Sequence, residues 1–171
     1  MLTDEVKEVL SPIRGGITLI ITVGNTFRSD DGVGPYIARN VKIKNENTVV
    51  LNVEDQPENA IDQAVSIKPC KTVIIDAADF FGKVGEARVI PQENIPDTTL
   101  STHTFPIKVI TKILEEDTGS KISFIGIQPR SAAMGEGLCD EVKQTADEII
   151  EFISRGIACY AQNISATDEH R

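Results

Sequence analysis

Cysteine is scarce in this chain and nowhere closely spaced. Cys70, Cys139 and Cys159 are odd in number, far apart and without a CxxC pair. That excludes a disulfide framework and a cysteine-based zinc site, leaves the three thiols as expected buried packing residues, and makes a reducing, cytoplasmic setting the expectation. Positive charge is also short: 17 basic against 26 acidic residues give a formal charge of -9. A surface of that sign argues against nucleic acid and anionic membranes as partners. No apolar run approaches the ~20 residues that span a bilayer, and Asp4, Glu5 and Glu8 stand where a signal peptide carries positive charge, so neither membrane insertion nor a targeting segment is expected. GxGxxG, a P-loop, a GxSxG elbow and HExxH are all missing, as are internal repeats and low-complexity tracts.

What the chain does have is strand-helix alternation. Its 171 residues suit a single domain over 1–171. Thr3 is placed to cap a short helix with Leu2, Val6, Val9 and Leu10 on one side, so residues 1–15 read as an N-terminal helical extension. Residues 17–23 form an almost continuous apolar run, the signature of a parallel strand covered on both faces. A glycine-rich acidic stretch from Gly24 to Pro35 follows, with a helix expected to start at Pro35. A second strand is expected over 48–53, and a helix over 58–68 with Ile61, Ala64 and Val65 facing inward. Residues 72–77 form a third strand and 86–90 an edge strand. A helix entered through Pro106 carries Ile107, Ile110, Ile113 and Leu114; a strand over 121–128 and a helix from Cys139 close the pattern. Residues 163–171 are polar and expected to be a flexible tail. The order predicts a three-layer α/β/α sandwich, a mostly parallel twisted sheet of about five strands with helices on both faces.

Ligands of open α/β sheets bind at the C-terminal ends of the strands. The stretch after the first strand offers Gly24, Asn25, Asp30, Asp31 and Gly32; Asp76 ends the third strand, and His103 precedes a helix. If the first and third strands are neighbours, Asp31 and Asp76 converge in one crevice over which the loop bearing His103 can close. Two carboxylates and an imidazole suit a divalent ion such as nickel or zinc. Plainer duties exist for each: turn formation for Asp30 and Asp31, tying of loop amides for Asp76, helix capping for His103, turn geometry for the glycines. A response-regulator receiver also pairs acids near its first strand, but here the pair lies well past the strand and the strand over 122–128 has no lysine.

Five separated stretches together carry a resemblance. They are Gly24-Asn25 through Asp30-Asp31-Gly32, Pro57-Glu58-Asn59, Ile75-Asp76-Ala77, Ser101-Thr102-His103 with Pro106, and Ile125-Gly126-Ile127-Gln128-Pro129. In this order, across residues 17 to about 155, they resemble the hydrogenase maturation endopeptidase family, which trims the C-terminus of nickel-iron hydrogenase large subunits. The Pro-Glu-Asn and Gly-Ile-Gln-Pro elements are most similar to the branch serving formate-hydrogenlyase-type and other membrane-bound hydrogenases. Phe27 and Val84 depart mildly from the family pattern, and the first fifteen or so residues precede its usual start. The resemblance implies that Asp31, Asp76 and His103 are the catalytic and metal-binding positions. It further implies that the partner is the large-subunit precursor and that nickel is recognised in that precursor, with zinc or cadmium able to occupy the site in isolation. A non-catalytic nickel-dependent chaperone and an unrelated metal-dependent hydrolase are the competing expectations.

Overall fold

The computed structural model of the protein describes residues 1–96 and 105–156. Its centre is a five-stranded sheet of order β2-β1-β3-β5-β4, built from β1 (Thr18–Val23), β2 (Thr48–Glu54), β3 (Lys71–Ala77), β4 (Ala87–Ile90) and β5 (Lys121–Ile127). The first four in that order run parallel, whereas β4 pairs antiparallel with β5. This is the mostly parallel sheet that the alternation predicts, with the short strand at its edge.

The apolar runs divide by parity, because successive strand side chains point to opposite faces. Ile20, Val73, Ile75, Ile125 and Ile127 meet helices α1 (Asp4–Leu10), α2 (Val33–Asn40) and α5 (Asp140–Arg155) on one face. Leu19, Ile21, Val23, Ile74 and Phe124 meet α3 (Ala60–Ile67) and α4 (Ile107–Thr118) on the other. Thr3 caps α1, its Oγ1 accepting from Val6 N at 3.2 Å, and Leu2, Val6 and Leu10 are buried in the first face. Each such side chain removed from water contributes about 1.5–3 kcal/mol, so the short helix is held by packing rather than by propensity.

Three expectations need correction. The helix after β1 starts at Val33, not Pro35, because residues 29–32 already form a 3-10 turn that feeds it. Pro35 then falls in the first turn, where its missing N–H costs nothing. Val65 does not face inward but is exposed, because Pro57–Asn59 makes its own 3-10 turn and the buried positions of α3 become Ala60 and Ala64. Cys70 is exposed rather than buried, sitting in the turn between α3 and β3. Cys159 and the tail over 163–171 lie outside the described residues.

Candidate active site at the C-terminal edge of the sheet

Sequence order and sheet order together bring the motifs to one edge. β2, β1 and β3 are adjacent, and their C-terminal ends lead into Pro57-Glu58-Asn59, into the Gly24–Gly32 stretch and out from Asp76. β5, next in the sheet, ends at Gln128-Pro129. The neighbouring of β1 and β3, on which the convergence of the two aspartates depends, is present in the register Thr22 to Ile75.

The stretch after β1 is tightly wound. Gly24 has φ +146°, and a Cβ there would lie 1.9 Å from the Asp31 carbonyl oxygen, so only glycine allows the chain to fold back on itself. The fold-back lets Asn25 N donate to Asp31 Oδ2 at 2.9 Å, while Arg28 N donates to Asn25 O and Asp31 N to Arg28 O, both at 3.1 Å. Asp31 is fully buried and rides on the 3-10 turn, which packs against β3. At the end of β3, Asp76 is likewise fully buried, and its Oδ1 accepts from Ala77 N at 2.8 Å. The structure therefore brings Asp31 and Asp76 to one edge. Burying two carboxylates together costs free energy unless a cation, a proton or hydrogen-bond donors compensate.

His103 lies outside the described residues. Among the described residues no three His, Cys, Asp or Glu side chains are grouped to hold a metal ion. The described donor set is thus a carboxylate pair, which suits a hard or borderline divalent ion and needs a further ligand.

Asp30, next to Asp31, is held quite differently. Its Oδ2 accepts from Arg130 N at 2.8 Å and Ser131 N at 3.3 Å, and its Oδ1 from Cys139 N at 2.7 Å. Ser29 N to Gly135 O, Gly135 N to Phe27 O and Arg28 Nε to Ala132 O extend the clasp. The loop between β5 and α5 is thereby tied to the loop after β1. Burial, with Asp30 beside it, pushes the Cys139 thiol up from its ordinary value, which disfavours the thiolate needed of a nucleophile.

Gln128, from the Gly-Ile-Gln-Pro element that carries the resemblance, makes a second clamp. Its Oε1 accepts from Phe80 N at 3.0 Å and Gly82 N at 3.1 Å, and its Nε2 donates to Asp79 Oδ1 at 3.0 Å. That bond, with a second from Phe81 N, holds the Asp79 carboxyl below its usual range. The sequence marked Gln128 as a motif position and as a polar residue ending an apolar strand beside proline, but not which amides it would hold. Non-glycine residues with positive φ also gather at this edge: Ser29, Glu54 and Phe81 follow or end β1, β2 and β3. Strained backbone of this kind concentrates at functional sites.

The sequence profile of the HycI hydrogenase maturation proteases matches residues 33–155. The chain belongs to the hydrogenase maturation protease family. A Methanocaldococcus jannaschii protein described as a candidate hydrogenase maturation protease is 29% identical over 162 residues, covering 90% of this chain and 92% of its own. The hydrogenase 3 maturation protease of Escherichia coli K12 is 30% identical over 135 residues, covering 78% and 86%. The crystal structure of the NiFe hydrogenase maturation protease HycI from Thermococcus kodakarensis superposes with a TM-score of 0.77 at 28% identity, over 89% of this chain and 97% of that one. As a member of the hydrogenase maturation proteases, the chain is a peptidase with the family's three-layer α/β fold.

Proposed function

We propose that this protein is the endopeptidase that removes the C-terminal peptide from a nickel-loaded NiFe hydrogenase large-subunit precursor. The single observation that carries the reading at the level of residues is the pair of fully buried carboxylates, Asp31 and Asp76, at the adjacent ends of β1 and β3 in a chain of this family. Nickel enters with the precursor and is part of the substrate. Asp31, Asp76 and His103 are the groups proposed to engage it, and in the isolated protein the same three would hold zinc or cadmium, either of which would supply Lewis-acid polarisation.

The chain's own residues then have these tasks. Asp31 and Asp76 orient the precursor so that the scissile peptide lies against a water molecule. One of the two takes a proton from that water as its oxygen adds to the carbonyl carbon. Backbone amides at the strand ends stabilise the oxyanion, and the C–N bond breaks as the leaving amine receives a proton. Gly24, Asn25 and Gly32 keep the loop tight enough to fix Asp31, and Asp30 ties that loop to its neighbour.

The test is processing of nickel-loaded precursor by single variants. Asp31→Asn and Asp76→Asn are nearly isosteric and should fold, yet each should lower cleavage by roughly 10²–10⁴-fold, the range of a lost general base. Full activity in either variant removes that residue from the mechanism. Tight binding of precursor by the wild-type protein without any shortening would instead point to a nickel-dependent chaperone.

A further inference from the structure

Phe81 combines three properties that rarely coincide. Its side chain is 95% exposed, its backbone is held at φ +59°, and the turn that holds it is pinned by a buried side chain. The pin is Gln128, 7% exposed, whose Oε1 accepts from the amides on either side of Phe81 and whose Nε2 is used by Asp79. Phe81 N itself donates to Asp79 Oδ1 at 3.1 Å. The preceding Phe80 behaves ordinarily: it packs against the α3/α4 side of the core, with the Arg88 guanidinium 4.6 Å from its ring centroid. A positive φ costs a phenylalanine free energy that glycine would not pay, and water gains nothing from an exposed ring. The arrangement holds an exposed ring in one fixed place.

The position says what the ring is presented to. Phe81 lies five residues beyond Asp76, so the two Cα atoms are no more than about 18 Å apart. A polypeptide with its scissile bond at the carboxylate pair crosses that distance in about five extended residues. Phe27 and Met134, exposed at 63% and 79%, stand on the two loops clasped by Asp30. All three exposed apolar side chains thus stand on loops that leave the C-terminal ends of β1, β3 and β5, the edge that carries Asp76.

We propose that Phe81 is the anchor that docks the large-subunit precursor by inserting into an apolar depression on it, and that Gln128 is the positioning residue that aims the ring. The occupant follows from continuity with the peptidase site, so the inference rests on the function proposed above. Exposed aromatic anchors of this kind carry a large share of the energy of protein recognition.

The experiment is steady-state processing of nickel-loaded precursor by wild type, Phe81→Gly and Phe81→Leu, with thermal midpoints measured alongside. Glycine suits the positive φ, so Phe81→Gly should fold with a midpoint within about 3 °C of wild type. It should nevertheless raise KM roughly tenfold or more with kcat little changed, the pattern of lost uniform binding. Phe81→Leu, which keeps an apolar side chain, should recover part of that loss. Unchanged KM in Phe81→Gly overturns the proposal, as does a fall in kcat alone. Wild-type protein that cleaves no precursor would instead overturn the peptidase reading beneath it.

Discussion

Asp30 and Asp31 are adjacent, both carboxylates and both buried, and they face different neighbours. Asp30 accepts three backbone N–H bonds from residues a hundred or more positions away, while Asp31 accepts from Asn25 in its own loop. Replacing Asp30 by alanine would leave those three donors without their acceptor. Hydrogen bonds to a charged group are worth about 1.5–3 kcal/mol each when they are not replaced. Because water can reach part of the loop, Asp30→Ala should cost about 3 kcal/mol in total, read as a lower midpoint in urea or on heating. A midpoint equal to that of wild type would mean that the clasp does not hold the loops together. The pattern Asp-Asp-Gly marked both residues as candidates. Only the family resemblance set Asp31 apart as a ligand position; the pattern itself could not show what holds Asp30, because its partners belong to the loop after β5, and no local spacing encodes that pairing. The partners of Gln128, though not its place in a motif, were hidden for the same reason: its amide acts on the loop after β3, 46 to 49 residues away.

At the scale of elements, the decisive contact is that between β1 and α2. A Cβ on Gly34 would lie 2.1 Å from Val23 O and 2.8 Å from Val23 N, both backbone atoms that cannot swing aside. Gly34→Ala must therefore push α2 away from the end of β1, and with it the 3-10 turn that carries Asp31. The expected cost is about 1–3 kcal/mol of stability from overpacking, together with reduced cleavage, measured by denaturant titration and precursor processing. Wild-type stability in that variant would contradict the close packing. The strands themselves were readable, since β-rich apolar runs bounded by Gly, Pro and Asn need only local information. The inner face of α3 was readable only in part: Ala64 is buried and Ile61 packs against the core as expected, but Val65 is exposed. The 3-10 turn over Pro57–Asn59 delays the helix and puts Ala60 and Ala64 inward, and nothing in a 3.6-residue period announces such a prelude.

At the scale of the molecule, the motifs at Gly24–Gly32, Pro57–Asn59, Asp76 and Gln128-Pro129 gather at one edge because helical crossovers return β1, β2, β3 and β5 to the same direction. The sandwich could therefore be anticipated from the alternation, and the adjacency of β1 and β3, on which the convergence of Asp31 and Asp76 was conditional, is present. The antiparallel placement of β4 was less accessible: four residues, Ala87–Ile90, carry too short a pattern to give a direction. The N-terminal helix packs Leu2, Val6 and Leu10 into the core face shared by α2 and α5, and Lys71, at the start of β3, donates to Glu8 O and Ser11 O, so the helix lies at the edge opposite Asp76. Among the described residues no helix is long and apolar enough to cross a membrane.

A peptide cleavage licensed by nickel in the substrate would be visible in the intact mass of the large-subunit precursor. Precursor loaded with nickel and precursor free of it would each be incubated with wild-type protein and with Asp31→Asn. Loss of a C-terminal peptide is expected only from the nickel-loaded precursor and only with the wild-type protein. Equal shortening of the nickel-free precursor, or shortening by Asp31→Asn at the wild-type rate, would contradict it.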